Sequence, residues 1–182
     1  MSLAYKIKRR LLQLIRGDAL TVEQLRKKGL TIGKNVDIYT SAIDLQHGYL
    51  IFIGNNVTVA SGTRLITHDA STKKILGYSK IGRIEIGNDV FIGAGSIVLP
   101  NVRIGDRVII GAGSVVVKDI PNDSIAVGNP CQVIGDYQEF VAKNRELLNK
   151  CPKQTTNSVE KSEFERFEMQ QAIRNGGWGF DE

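Results

Sequence analysis

From Ile86 to Pro121 the sequence divides into six-residue pieces: IGNDVF, IGAGSI, VLPNVR, IGDRVI, IGAGSV and VVKDIP. Each opens with Ile or Val, and Gly follows at 87, 93, 105 and 111. The fifth position is Val, Ser or Ile throughout. The same lattice runs through 53–70 and 32–43. An 18-residue echo lies over the six, because IGAGS stands at 92–96 and again at 110–114. A period of six inside a period of 18 calls for three similar walls per turn, with the first residue of each piece pointing inward. Short strands then stack through parallel ladders spaced about 4.8 Å. Gly, Asn and Asp take the corners, where φ turns positive. A β-sandwich has no reason to keep such an echo. A dinucleotide-binding loop is excluded by context: Gly93-Ala-Gly95 and Gly111-Ala-Gly113 lack the third glycine and lie inside strand patterns.

The lattice breaks twice. A loop insert, 71–83, leaves the coil just after His68, and a smaller break runs from Asp44 to Leu50. Loops projecting from a rigid stack are where function concentrates. The chain therefore reads as a basic N-terminal helical segment (1–30), a repeat domain (31–135) carrying the insert, and a C-terminal helical extension (136–182). Apolar spacing predicts helices over 3–16, 136–150 and 160–174. Residues 21–29 read as a short helix or turn closed by Gly29. Residues 151–160 read as a polar linker, and the end from Asn175 as a loose tail unless Trp178 docks.

Composition narrows the function classes. With 182 residues, 42% hydrophobic and 24% charged, the chain is an ordinary globular protein with a real core. Cys131 and Cys151 are too few for a disulfide framework, so a reducing, cytoplasmic setting is expected. No apolar run approaches the roughly 20 residues that span a bilayer, and the N-terminus lacks the pattern of a signal peptide. The net charge of +5 belongs to the N-terminus: residues 1–30 hold eight Lys/Arg against two acids. With 7% aromatics and no reader motif, nucleic acid is not the expected partner. The apolar face of the basic segment is expected to cap the first coil, with contact to an anionic membrane surface as the lesser alternative.

Hexads of this form, together with the run Val127-Gly-Asn-Pro-Cys-Gln-Val-Ile134, resemble the hexapeptide-repeat acyltransferases. The likeness covers about residues 30–135 and is closest to the sugar and polysaccharide O-acetyltransferase branch. It implies a left-handed parallel β-helix; the handedness comes from the resemblance and not from the period. It implies a homotrimer whose sites lie between neighbouring prisms, with acetyl-CoA as co-substrate and no metal. It implies that His68 is the general base, with Asp69 beside it. On the cofactor side it implies Phe91, in place of a frequent Trp, the small residues Ala94 and Ala112, and Val117 with Lys118. It also points to Gln132, where the family often has Arg. Asp44 and His47, in the smaller break, are candidates for binding the acceptor.

The chemistry needs few parts. An alcohol is a poor nucleophile near neutral pH, and an imidazole, titrating near roughly 6.5, suits the removal of its proton. Backbone N–H groups at a coil corner can meet the developing oxyanion. Direct attack in a ternary complex requires no covalent enzyme intermediate. Three groups could orient His68: Asp69, Asp44 or a backbone carbonyl. Asp69 could equally cap its own turn, His47 could be structural, and the two alanines could be only what a tight corner wants. Cys131 reads as buried packing rather than a nucleophile. The leading expectation is acetyl transfer to a sugar or glycan-precursor hydroxyl. The alternatives are N-acetylation of a nucleotide-linked amino sugar, a non-catalytic scaffold, and a metal-dependent hydratase of the γ-carbonic-anhydrase kind. The last needs three histidines, and the chain has two.

Overall fold

The computed structural model describes residues 20–156 and 161–181. The helix expected over 3–16 lies outside them. The described chain forms two compact units, residues 20–137 and 138–181.

The first unit is a three-walled parallel coil. One wall stacks Thr31–Ile32, Ile51–Ile53, Ile84–Ile86 and Val102–Ile104. A second stacks Asp37–Ile38, Thr58–Val59, Val90–Ile92, Val108–Ile110 and Ser124–Val127. The third stacks Arg64–Leu65, Ile97–Val98 and Val115–Val116. Every pairing between successive coils is parallel.

The register measures the interruptions. Regular coils are 18 residues apart, as in Val90↔Val108 and Ile84↔Val102. The step widens to 33 across the loop insert (Ile51↔Ile84) and to 21 across the smaller break (Thr31↔Phe52). It shrinks to 16 in the last coil (Val108↔Ser124). There the chain reverses, and Gln132–Asp136 runs antiparallel along the Ser124–Val127 strand.

Hexad-opening side chains fill the interior: Ile86, Ile92, Val98, Ile104, Ile110 and Val116 are all buried, as are Ile53, Val59 and Leu65 upstream. Each such burial contributes roughly 1.5–3 kcal/mol. The fifth positions also face inward. Where they are Ser96 and Ser114, the hydroxyls donate to the Gly111 carbonyl. Among the described residues no buried side-chain polar atom lacks a partner.

One corner is stitched by a polar ladder. The Asn55 amide donates to Asn88 Oδ1, the Asn88 amide to Asp106 Oδ1, and the Asp106 backbone N–H to Asn122 Oδ1. Beside it Gly87 packs so closely that a Cβ would lie 2.5 Å from Asp106 Oδ1. The neighbouring corner positions Asn56, Asp89, Arg107 and Asp123 all have φ near +55°. Arg107 is the unusual member, and its guanidinium holds the Asp123 carboxylate at both oxygens.

Ahead of the coil, Val22–Lys27 is a helix with a Thr21/Gln24 capping box. Its Leu25, with Leu30, is buried in the same apolar cluster as the coil interior.

The second unit holds all but the first residue of the helix Tyr137–Lys150, and the helix Glu163–Ala172, capped by Ser162 and Glu165. Two stretches read as linker and loose tail pair here: Lys153–Gln154 and Phe180–Asp181 form a small parallel sheet, where the Phe180 N–H donates to the Pro152 carbonyl. Trp178 remains 69% exposed. No described helix is long and apolar enough to cross a membrane.

Candidate active site

The two lattice breaks meet. Asp44 begins the smaller break and His68 ends the regular part of the next coil. Coil stacking, shown by the parallel bridge Ile43↔Leu65, brings them side by side. His68 Nδ1 lies 2.5 Å from Asp44 Oδ2. The same oxygen accepts from the Thr67 hydroxyl at 2.5 Å and lies 3.2 Å from His47 Nδ1. The two imidazole rings are 5.5 Å apart, centre to centre.

The electrostatics fix the proton positions. Burial alone would push the Asp44 carboxyl up. Hydrogen bonds from His68, Thr67 and His47 outweigh it and hold the group well below the usual carboxylate range. Asp44 is therefore an anion that only accepts, so both Nδ1 atoms donate to it. In the neutral His68 ring the Nε2 lone pair is then the available base. The Asp44 side chain is 8% exposed and that of His68 is 40% exposed, so a buried anchor supports a reachable ring.

Asp69 is turned to a different task. Its carboxylate pairs with Lys80 Nζ at 2.8 Å and accepts from the Ser71 N–H, and these contacts keep it below the usual carboxylate range. His68–Asp69 forms an antiparallel pair with Lys80–Ile81, which ties off the base of the loop insert. Adjacent residues of an extended strand face opposite sides, so the carboxylate next in the chain is not the one beside the imidazole. The tip of the loop exposes Ile75, Leu76 and Tyr78.

The remaining candidates lie at three places on the coil. Ala94 and Ala112 are exposed at one corner in successive coils, where the Gly113 N–H donates to the Ala94 carbonyl. That corner is open, because a Cβ added at Gly95 or Gly113 would meet nothing within 4 Å. Val117 and Lys118 are exposed at the corner that follows Val115–Val116, in the column of Leu99 and Ile66 and so on the side of the prism that carries His68. Phe91, 45% exposed, lies on a different wall, in a shallow depression of about 240 Å³ with Thr58, Ile109 and Tyr137. Gln132 is exposed where the chain reverses. A single chain thus joins His68, His47 and Asp44 directly and keeps the Ala94–Ala112 corner and Phe91 apart from them. Cys131 is buried, and burial pushes its thiol up, against a smaller opposing hydrogen bond from Ser114. Thr67 was not singled out by the sequence reading. Its one signal was a hydroxyl residue immediately before His68, and buried Thr and Ser side chains recur elsewhere in the coil interior, so that signal was not distinctive.

Among the described residues, Asp44, His47 and His68 are also the one group of three or more His, Cys or carboxylate side chains whose ligand atoms could share a metal ion, all within 4.8 Å of one another.

Residues 83–118 match the bacterial transferase hexapeptide (six repeats) model. Protein CapG of Staphylococcus aureus is 44% identical over 133 residues, covering 68% of this chain and 76% of that protein. Galactoside O-acetyltransferase of Lactococcus lactis subsp. lactis (strain IL1403) is 40% identical over 104 residues, covering 57% of this chain but 45% of that protein. A crystal structure of a maltose O-acetyltransferase from Clostridium difficile 630 superposes with a TM-score of 0.53 at 32% identity, covering 70% of this chain and 83% of that one. The coil is thus the left-handed parallel β-helix. By this similarity the chain belongs to the hexapeptide-repeat acyltransferase family, in the branch that contains the galactoside and maltose O-acetyltransferases.

Proposed function

We propose that this chain transfers an acetyl group from acetyl-CoA to a hydroxyl of a sugar or glycan precursor, with His68 as general base. The observation that carries the reading is the 2.5 Å contact between His68 Nδ1 and the buried Asp44 carboxylate. Asp44 holds the tautomer that leaves Nε2 able to accept a proton, and its charge stabilises the imidazolium that forms. Acetyl-CoA supplies the activated acyl carbon as a thioester. His68 takes the hydroxyl proton as the new C–O bond forms, then returns it to the departing thiolate, so protons balance within one turnover.

The residues fit such a co-substrate. Ala94 and Ala112 leave an open corner on which a flexible thiol arm can lie, and exposed Lys118 offers a cation to its phosphates. The Ala94–Ala112 corner and the imidazole lie apart in one chain, which favours a homotrimer that completes each site with a neighbouring prism. The likeness to the galactoside and maltose O-acetyltransferases supports a sugar acceptor, and the free acetyl-CoA pool supports a cytoplasmic setting.

The test is a screen of hydroxyl and amine acceptors that follows release of free coenzyme A thiol. Turnover at a sugar hydroxyl, lowered by about 100-fold or more in His68→Ala, supports the reading. Turnover confined to amino sugars moves it to N-acetylation, and none with any acceptor overturns it.

A further inference from the structure

We propose that Asp44, His47 and His68 form a binding site for a borderline-soft divalent cation, zinc being the best fit, and that occupancy switches the His68 base off. Two imidazole nitrogens converge on one carboxylate oxygen: His68 Nδ1 at 2.5 Å and His47 Nδ1 at 3.2 Å from Asp44 Oδ2. Two nitrogens and one carboxylate oxygen are the donor set zinc takes in open sites, and nitrogen donors disfavour magnesium and calcium.

The two separations from the carboxylate oxygen are close to what a tetrahedral ion needs, and all three ligand atoms lie within 4.8 Å of one another. Bonds of about 2.0–2.1 Å put donor atoms about 3.3 Å apart. The His47 contact already meets that value, and the His68 contact must open by under about 1 Å. The His68 ring, 40% exposed, has room to do so and leaves the remaining coordination positions to water. The ion finds its charge partner in place, because Asp44 is an anion that already gathers three hydrogen-bond donors on one oxygen.

Chemically, the ion takes the place of the two Nδ1 protons, and each neutral ring regains a proton from solvent at Nε2, so the proton count is unchanged. Each ring keeps one proton, now on Nε2. A His68 ring ligated through Nδ1 thus has no lone pair on Nε2 with which to accept from a hydroxyl. Inhibition follows from a tautomer exchange and does not require the ion to block the acyl donor. Binding rests on the geometry alone, whereas its effect on turnover rests on the acetyltransferase reading above.

The experiment uses the full chain without a polyhistidine tag, stripped with chelator, and zinc chloride as probe. Competition against a chromogenic zinc indicator should show one saturable site per chain, unaffected by millimolar magnesium. His47→Gln should weaken that site by at least about tenfold, and Cys131→Ser with Cys151→Ser should leave it unchanged. Imidazole nitrogen NMR should show both Nδ1 atoms ligated in the wild-type chain, which decides the matter even if the His47 variant folds poorly. Absence of saturable binding, or a zinc site indifferent to His47→Gln, overturns the proposal. Turnover should fall with zinc and recover with chelator, and the inhibition should persist at saturating acetyl-CoA. Zinc bound at both Nδ1 atoms with turnover intact would retain the site and instead remove His68 from the base role.

Discussion

At His68 the chemistry turns on which ring nitrogen carries the proton, and a neighbour 24 positions earlier in the chain decides it. Replacing the ring altogether, His68→Ala, should lower kcat by about 100-fold or more while leaving binding of the acyl donor nearly intact. Equilibrium binding of coenzyme A alongside thiol release checks both halves. Asp44→Asn keeps the shape but removes the charge and the fixed acceptor. It should lower kcat by roughly 10- to 1,000-fold with little change in KM for the acyl donor. The pH dependence has a definite sign. The folded Asp44 carboxyl titrates below its unfolded value of about 3.9. Its contribution to stability is therefore complete above that value and is lost as pH falls through the lower, folded one. Thermal melts should show Asp44→Asn less stable than wild type at pH 7, with the gap closing below about pH 4. An acid limb in kcat above pH 5 then belongs to a group other than Asp44. His68 was legible in the sequence because it stands where a lattice stops. Asp44 could be read only as one of three possible partners, because its contact arises from coil stacking, and the strand alternation that turns Asp69 away is a property of the folded backbone.

The loop insert behaves as an element separate from the stack that carries it. Coils on either side keep their parallel register across a 33-residue step, so the extra length leaves the ladder undisturbed. Excising 71–83 and closing the coil through an ordinary corner should change the melting temperature by only a few degrees for this size of domain. It should abolish turnover, since the Lys80–Ile81 strand that braces His68 is lost. Differential scanning calorimetry and the thiol assay separate the two effects. The repeat region was the most readable part of the chain, because every hexad repeats one local instruction: an inward aliphatic residue, then a tight corner. The ends were less readable. The pairing of Lys153–Gln154 with Phe180–Asp181 joins polar and glycine-flanked stretches with no period to announce them.

At the scale of the whole first unit, stability is a sum of near-identical layers, each resting on the next. Such an arrangement has an inherent hazard, since a layer that accepts one neighbour can accept another. The Gln132–Asp136 strand, laid in reverse along the last parallel one, occupies the hydrogen-bonding groups that a further coil would use. Chains ending at Gly128 should therefore expose an unsatisfied rim. Purified at high concentration, they should elongate end to end into filaments visible by electron microscopy, while the full chain remains dispersed at the same concentration. The backward turn after Pro130 would thus work as a stopper against self-templating growth, a task separate from any contact Gln132 makes with a cofactor.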